Sequence, residues 1–222
     1  MIIKEISEDR LVIFQDKHTY TDRQHEVLIS LMYKIEDSKL PLLNVNVSYN
    51  SVTVQWDIFK VDVETVKKNL LTICESLEDL DIKVTKKNII EIPVCYDPEF
   101  GIDQDKFAVS LEELINRHTE PEYRVYMIGF LPGFMYLGGL DEKLHMKRLV
   151  IPRKKIDKGS VGIAGGQTGV YPQIAPGGWN IIGKTPLEMV KEGIPIVNPG
   201  DYVKFYSISK DEYWRLYNDK DN

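Results

Sequence analysis

The first ninety residues alternate between short apolar runs and longer segments with helical periodicity. Four runs rich in apolar and β-branched residues predict β-strands, at residues 10–15, 42–48, 51–59 and 89–95. Two amphipathic patterns predict helices, one over residues 21–37 and one that runs from Asp62 to Leu80. The resulting order, β-α-β-β-α-β, is typical of a ferredoxin-like fold.

Capping residues mark where the predicted helices begin. Thr21 and Gln24 have the spacing of a capping box, and Asp62 can cap the second helix. In the second half of the chain, Ser110 and Ser209 each precede a glutamate by three residues. They predict the starts of two further short helices.

The second half reads as short extended segments divided by glycine and proline. These segments are residues 123–130, 149–152, 161–164, 169–171, 179–182 and 202–208, and no glycine precedes Gly101. Many short strands joined by Gly and Pro turns indicate a closed or nearly closed β-barrel. We therefore predict an α+β chain, with a ferredoxin-like domain at residues 1–90 and a β-barrel domain at residues 91–222.

Composition excludes several classes of function. The net charge of −6, without a long run of one sign, argues against nucleic-acid binding. Two cysteines and four dispersed histidines predict neither a metal site nor a disulfide framework. No apolar run reaches the length of about 20 residues that spans a bilayer, and the first residues lack the layout of a signal peptide. We expect a cytoplasmic protein with no membrane partner.

Two glycine-rich stretches resemble nucleotide-binding motifs. Residues 178–185 match the P-loop expression G-x-x-x-x-G-K-[ST]. Because Trp179 to Ile182 is strand-like and Pro186 follows at once, we interpret this stretch as a strand that ends in a turn. Residues 162–169, GIAGGQTG, open no helix and do not indicate a dinucleotide site. An anion-binding nest of backbone N–H groups is the alternative for this stretch.

Three polar residues are candidates for chemistry, each with a structural alternative. His118 follows a predicted helix, where a histidine is often a partner of the helix dipole. Arg153 lies either in a solvated basic turn or beside a bound carboxylate or phosphate. Gln167 stands among glycines, where an amide can hold a small polar ligand. The aromatic residues of GFLPGFMYLGGL, residues 129–140, are buried under another element, line an apolar pocket or face a protein partner.

Four runs of sequence carry a resemblance to a known family. They are CYDPEFGID at 95–103, HTEPEYRVYMIGFLPGFMYLGGL at 118–140, IPRKKIDKGSVGIAGGQTGVYPQIAPGGWNIIGKTP at 151–186 and NPGDYVKF at 198–205. They resemble the family that holds the B subunit of bacterial 5-oxoprolinase (also called allophanate hydrolase subunit 1) and the Bacillus inhibitor of sporulation kinase A. A related domain occurs in urea carboxylase. One departure is Lys184, where the family's G-R-T-P would place an arginine.

The resemblance implies a fold, an activity and partners. The second domain would be a cyclophilin-like barrel. The chain would be inactive alone and would join a homologous C subunit and an A subunit. That complex would open 5-oxo-L-proline to L-glutamate with ATP hydrolysis. ATP would be used by the complex, and no cofactor would be tightly bound to this chain.

Residue type and the family motifs together give the expected site. Opening an unstrained lactam requires activation of its carbonyl, which phosphorylation of the amide oxygen supplies, and donors that stabilise the developing charge. We expect catalytic roles for His118, Arg153 and Gln167, and no metal. We expect substrate-binding roles for Phe130, Phe134, Gly165, Gly166, Tyr171 and Trp179.

Two other functions stay open, because a shared fold does not decide between them. One is inhibition of a sensor histidine kinase, with the aromatic loop against a helical dimerisation domain. The other is a subunit of an enzyme that handles urea or allophanate.

Overall fold

The computed structural model of the protein describes residues 1–15, 21–78 and 88–219. The chain divides into two compact units, Met1–Lys86 and Lys87–Asn222, each with a hydrophobic core of its own. Leu80, predicted at the end of the second helix, lies outside the described residues, as does most of the polar connection that follows it. In the described ranges no helix is both long enough and apolar enough to cross a membrane.

In the described part of the first unit, four antiparallel strands form a sheet in the order β1-β2-β4-β3. Apolar side chains of this sheet and of two helices share one core. The elements are β1 Ile2–Ser7, β2 Arg10–Phe14, α1 Asp22–Glu36, β3 Leu42–Val47, β4 Ser51–Trp56 and α2 Val63–Glu78.

The predicted helix starts are confirmed by their hydrogen bonds. Thr21 Oγ1 accepts from the backbone N–H of Gln24 at 3.2 Å, and the Gln24 side chain accepts from the Thr21 N–H at 3.1 Å. Asp62 Oδ1 accepts from the Thr65 N–H at 2.9 Å. Each cap satisfies donors that the first turn of a helix leaves unpaired.

The predicted ferredoxin-like arrangement is not confirmed, because one strand was assigned to the wrong sheet. The position beside β2, which residues 89–95 would take in that fold, is occupied by β1. The sequence pattern did not predict β1. Residues 89–95 form a strand as predicted, but that strand pairs within the second unit, so the expected boundary at residue 90 falls inside it.

In its described residues, the second unit contains many short strands, two short α-helices and two 3-10 helices at Gln104–Lys106 and Glu142–Leu144. Its elements are β5 Ile89–Cys95, α3 Leu111–Thr119, β6 Glu122–Ile128, β7 Met135–Gly138, β8 Arg153–Ile156, β9 Ser160–Ala164, β10 Gln167–Val170, β11 Ala175–Gly177, β12 Asn180–Lys184, β13 Val190–Lys191, β14 Ile194–Pro195, β15 Tyr202–Ile208 and α4 Lys210–Asn218. The N-caps of the two helices are Ser110 and Ser209, as predicted.

Seven of the described strands close into a barrel, in the order β10-β7-β6-β15-β5-β12-β9, with β9 pairing back to β10. The predicted barrel is thereby confirmed. Most neighbours are antiparallel, but β5 and β15 run parallel over their whole length, from Ile89 opposite Tyr202 to Cys95 opposite Ile208. Outside the barrel, β8 pairs with β11.

The barrel strands bury both of their faces where β9, β10 and β12 lie side by side. Val161, Ile163 and Val170 point into the barrel core, to which every barrel strand contributes. The alternate residues Ala164 and Tyr171 point to a second, outer cluster. This period of two is the alternation of a β-strand, here apolar on both faces.

Two sequence predictions in this region had different outcomes. Residues 178–185 contain β12, which confirms the interpretation of that stretch as a strand and not a phosphate-binding loop. The predicted strand at residues 149–152 is wrong, since those residues form no ladder and β8 begins only at Arg153. Their apolar, β-branched composition was misleading, because Val150 and Ile151 face solvent.

Candidate functional site

His118 lies in the barrel interior, and both of its ring nitrogens are hydrogen-bonded. Nδ1 is 2.7 Å from the Tyr96 hydroxyl, and Nε2 is 2.9 Å from Thr168 Oγ1. The Thr168 hydroxyl donates its proton to the Gly162 carbonyl at 3.1 Å, so it accepts from Nε2. Tyr96 then donates to Nδ1, and His118 is the neutral tautomer with its proton on Nε2.

The surroundings of His118 keep it neutral. Its side chain is fully buried, its ring stacks on Phe205 at 4.6 Å, and burial lowers its pKa to about 3. The imidazole of His118 has no contact with solvent, and each of its two nitrogens already has a hydrogen-bond partner. This arrangement favours a structural role, and the predicted catalytic role stays a prediction.

The outer cluster is organised around Phe134. The Phe134 ring meets the rings of Tyr171 and Trp179, each at a centroid distance of 5.2 Å, and the ring of Tyr136 at 5.0 Å. All three contacts are edge-to-face, the geometry in which a positive ring edge meets a negative ring face. We call these four residues the aromatic cluster.

Phe130 borders the aromatic cluster from outside. Its ring contacts the Phe134 ring edge-on at 5.6 Å, yet 59% of the residue is exposed. Its backbone has a φ of 68°, which is unfavourable for a residue with a side chain of this size. Four predicted substrate-binding residues therefore lie together: Phe130, Phe134, Tyr171 and Trp179.

Glycine lies beneath the aromatic cluster because the rings pack directly on strand backbone. At Gly169 in β10, a Cβ would come within 2.6 Å of the Met135 carbonyl oxygen. It would also lie 3.2 Å from the Trp179 ring and 3.3 Å from the Phe134 ring. A residue without a Cβ is required for this close approach. The mixture of glycine and bulky aromatic residues in this sequence thus has a packing reason.

Arg153 reaches the edge of the same cluster and is held there by a buried carboxylate. Its Nη2 donates to Asp103 Oδ1 at 2.7 Å, and its Nη1 donates to the Trp179 carbonyl at 3.4 Å. The Arg153 side chain keeps 27% of its surface exposed, while that of Asp103 has none. Arg153 thus points inward from the basic turn and still reaches solvent.

Asp103 is the best-satisfied charge of the site. Burial raises its pKa, but hydrogen bonds from Arg153, Lys106 and the Ile181 N–H outweigh burial and leave the pKa below its ordinary value. Lys106 Nζ donates to Oδ1 at 2.5 Å, and the Ile181 N–H donates to Oδ2 at 2.8 Å. The carboxylate stays ionised and fixes the guanidinium of Arg153.

Arg148 is a second cation at the aromatic cluster. Its guanidinium carbon lies 5.9 Å from the centroid of the Trp179 ring, within the range of a cation–π contact. The side chain is exposed. Its charge also opposes the rise that burial produces in the pKa values of Tyr136 and Tyr171, the latter reaching about 12.

The remaining predicted residues lie at the turn between β9 and β10. Gly165 has a φ of 60°, and its N–H donates to the Met146 carbonyl at 2.7 Å. That donor is engaged within the protein, although the prediction used it for an anion. Beside Gly166 stands the His145 ring, 3.0 Å from where a Cβ would be. Gln167 begins β10 and pairs with Gly138 and Ala164. The roles proposed for these three residues stay predictions.

Sequence reasoning missed Asp103 and Arg148. Asp103 ends the run CYDPEFGID, in which several acidic residues look alike, and only the fold shows which one is buried. Arg148 stands in a basic segment whose side chains look equally solvated. The sequence gives no usable signal for the contact of Arg148 with Trp179, because the two residues are distant in the chain.

The arrangement suits a small, flat, anionic ligand. Three rings of the aromatic cluster, those of Phe134, Tyr171 and Trp179, are buried. The accessible ring surface is that of the half-buried Tyr136 and of the exposed Phe130 beside the cluster, and two guanidinium groups stand at its edge. Guanidinium groups bind carboxylates and phosphates through paired hydrogen bonds. In the described residues, no group of three or more His, Cys, Asp or Glu side chains could hold a metal ion.

Comparison with known proteins identifies relatives of this chain. A family model for the carboxyltransferase domain, subdomain C and D, matches residues 1–193. The chain is 43% identical to the B subunit of 5-oxoprolinase from Bacillus subtilis in an alignment of 184 residues, and the match covers 75% of each chain. It is 40% identical over 175 residues to the B subunit of 5-oxoprolinase from Haemophilus influenzae, which is 76% of this chain and 80% of the relative. It is also 25% identical to urea amidolyase of Saccharomyces cerevisiae, over 89% of this chain but 12% of the relative.

Solved structures share the fold. The crystal structure of TTHA0988 matches 94% of this chain with a TM-score of 0.76 and 25% identity. This chain spans only 40% of the length of TTHA0988. The conserved uncharacterized protein PH0987 of Pyrococcus horikoshii is 40% identical, with a TM-score of 0.55, over 96% of this chain and all of the relative.

Proposed function

The chain belongs to the carboxyltransferase subdomain C and D family, which includes the B subunit of 5-oxoprolinase, and on that premise we propose that it is a subunit of an ATP-dependent 5-oxoprolinase. The complex opens 5-oxo-L-proline to L-glutamate, and this chain is inactive alone. The observation that carries the proposal is the identity of 40% or more to two subunits of that name. Their names imply further subunits, and we propose a homologous C subunit and an A subunit as the partners.

The geometry of the outer site fits this substrate. 5-Oxo-L-proline is a small, flat lactam with one carboxylate. We propose that the half-buried Tyr136 and the exposed Phe130 contact the lactam, while Arg148 binds the carboxylate. Arg153, fixed by Asp103, directs its remaining N–H groups toward the oxygen on which negative charge develops.

The proposed reaction balances with ATP and water as co-reactants. The γ-phosphoryl group passes from ATP to the lactam oxygen, which leaves ADP and an activated ring carbon. Water attacks that carbon, and the ring C–N bond breaks with a proton going to nitrogen, which leaves γ-glutamyl phosphate. A second water attacks the same carbon, and the bond from that carbon to the phosphate oxygen breaks to release phosphate. The products are glutamate, ADP and phosphate. We propose that ATP is used by the complex and is not tightly held by this chain.

The test is glutamate release from 5-oxo-L-proline and ATP by this protein with its C and A subunits, each omitted in turn. We expect activity only from the full set. Arg148→Gln in that complex should raise KM about tenfold or more, while Lys68→Gln, an exposed lysine in helix α2 of the first unit, should change nothing. An associated complex that releases no glutamate would refute the proposal.

A second function is favoured by one observation, the likeness to urea amidolyase over 89% of this chain. A subunit that handles urea or allophanate would use the same outer site for a planar amide. The same assembly supplied with urea or allophanate and ATP separates the two functions. Turnover of these compounds in place of 5-oxo-L-proline would establish the second function. Inhibition of a histidine kinase stays a prediction.

A further inference from the structure

Residues 147–155, KRLVIPRKK, form a basic segment with an apolar tip. They contain five cationic side chains, Lys147, Arg148, Arg153, Lys154 and Lys155, and no acidic one. The tip is Val150 and Ile151, which are 98% and 82% exposed. This composition stands out in a chain whose net charge is −6. We call residues 147–155 the docking segment.

The docking segment is held firmly on both sides of its tip. Just before it, Met146 exchanges two backbone hydrogen bonds with Gly165, at 2.7 and 3.2 Å. The Lys147 carbonyl accepts from Asn180 Nδ2 at 2.9 Å, and the Leu149 N–H donates to the Gly178 carbonyl at 2.7 Å.

After the tip, the ion pair of Arg153 with the buried Asp103 fixes the chain again. Two β-branched side chains are therefore presented to solvent by an ordered backbone. Such preorganisation lowers the conformational cost of binding, because the segment does not have to be ordered on contact.

We propose that the docking segment binds an apolar depression with an acidic rim on the C subunit of the complex. The identity of this partner rests on the proposed function. Charge complementarity supports an acidic partner surface. Arg153 and Lys155 are paired with Asp103 and Asp157, but Lys147, Arg148 and Lys154 add further positive charge around a tip that carries none. TTHA0988, in which this fold occupies 40% of a longer chain, supports further protein structure as a neighbour of this domain.

Docking at this segment would also bring the partner to the outer site. Arg148 belongs to the docking segment and lies over the Trp179 ring. A partner that buries Val150 and Ile151 would therefore exclude water around the aromatic cluster, where charge interactions then become stronger. The assembled complex would have a site that the isolated chain only partly encloses.

A basic segment with an apolar tip also has the chemistry that binds anionic membranes. We favour the protein partner because the net charge of −6 repels an anionic bilayer from the rest of the surface. The membrane is therefore an outcome to be tested directly.

The experiment compares a tip variant with a matched control for binding to the purified C subunit. Val150→Ser combined with Ile151→Ser removes the apolar tip without touching Arg148 or Arg153. Phe59→Ser removes an equally exposed apolar side chain, 94% accessible, from the other unit. We expect the tip variant to raise the Kd about tenfold or more, with an unchanged circular dichroism spectrum and Tm, and the control to match the parent protein.

A second variant tests the charge of the segment. Lys154→Glu with Lys155→Glu should slow association with the C subunit and reduce the dependence of the association rate on salt. A tip variant that binds the C subunit as the parent does would overturn the inference. So would a parent protein that binds phosphatidylglycerol vesicles through the tip and not the C subunit.

The outcome can be separated from that of the proposed function. If the parent protein assembles with the C subunit but the complex releases no glutamate, the proposed function fails. The docking inference is then still decided by whether the tip variant binds the C subunit with a higher Kd than the parent protein and the control. If the complex is active and the tip variant assembles normally, only the docking inference fails.

Discussion

The two faces of strand β10 lie beside polar groups in opposite surroundings. On the inner face, Thr168 joins His118 and Tyr96 in a closed network that leaves neither histidine nitrogen without a partner. On the outer face, Gly169 makes room for the aromatic cluster, beside which Arg148 and Arg153 remain partly exposed. Adjacent residues of one short strand thus face a sealed interior and a buried aromatic cluster whose edge is accessible.

Burial separates structural from functional polar residues in these two regions. His118 looks like a catalytic residue in the sequence because histidine titrates near neutral pH. Its burial removes that property by lowering the pKa to about 3. Both terminal nitrogens of Arg153 also donate to buried groups, but 27% of its side chain stays exposed. A residue with partners on one side and solvent on the other can still bind a ligand.

The largest expected effect is at Asp103, which supports the outer face from beneath. Asp103→Ala leaves Arg153 and the Ile181 N–H without their partner, and we expect it to lower the free energy of unfolding by about 3–5 kcal/mol. Urea denaturation measures this. Lys106→Ala, which removes a half-exposed partner of the same carboxylate, should cost about 1 kcal/mol or less. Similar losses in the two variants would contradict the importance given to the buried carboxylate.

The next effect concerns the inner face and depends on pH. His118 has a pKa of about 3 in the folded protein and an ordinary value of 6.5 when unfolded, so the unfolded state binds the proton more tightly. The stability that depends on neutral His118 is therefore fully present above pH 6.5 and is lost as pH falls toward 3. The loss is about 1.4 kcal/mol per pH unit, or about 3 kcal/mol by pH 4.

The measurement is the free energy of unfolding from about pH 7 to about pH 4 in the parent protein and in His118→Gln. Glutamine keeps hydrogen-bonding capacity but cannot be protonated in this range. We expect the variant to lose less stability over the interval, because the remaining slope comes only from the carboxylates and the other histidines. Parallel curves for the two proteins would show that His118 does not govern the acid sensitivity.

A smaller effect tests the packing of rings on the strand backbone. Gly169→Ala places a Cβ within 2.6 Å of a backbone oxygen and should cost about 2 kcal/mol through strain. Gly178→Ala is the matched control, because its added Cβ would meet its nearest atom at 3.4 Å. The control should stay within about 0.5 kcal/mol of the parent in thermal unfolding. Equal stability of both variants would mean that the rings can move away from the strand.

The smallest effect on stability is expected at Arg148. Its cation–π contact with Trp179 is exposed, so Arg148→Ala should cost less than about 1 kcal/mol in urea denaturation. The same variant should impair substrate binding in the assembled enzyme. A loss of several kcal/mol in the free energy of unfolding would show that Arg148 has a structural role, and not only a role in binding.

Local signals predicted much of the fold. The helix caps at Thr21, Ser110 and Ser209 and the strand at residues 202–208 follow from short-range rules, and the structure has them. Glycine and proline turns predicted the barrel for a physical reason, since tight corners need residues without a hindering side chain. The sheet in which residues 89–95 pair was not predictable from such rules, because pairing partners distant in sequence leave no local signal.

The candidate site was predicted only in part. Phe130, Phe134, Tyr171 and Trp179 were grouped by their aromatic character in glycine-rich loops, and the structure brings them together. His118 and Arg153 look alike as candidates until burial is known. Asp103 became visible only with the fold, since the partner that it holds, Arg153, lies 50 residues further along the chain.

The parallel pairing of β5 with β15 determines when the barrel can form. Asn88 and Asp201, which stand just before these strands and hydrogen-bond to each other, are 113 residues apart. During synthesis the hairpins β6–β7 and β9–β10 can form early, but the seam between β5 and β15 closes only after β15 leaves the ribosome. Until then β5 has an unpaired apolar edge, the kind of surface on which nascent chains aggregate or recruit chaperones. Closure of this seam is expected to be the slow step of folding, because its contacts are the most distant in sequence.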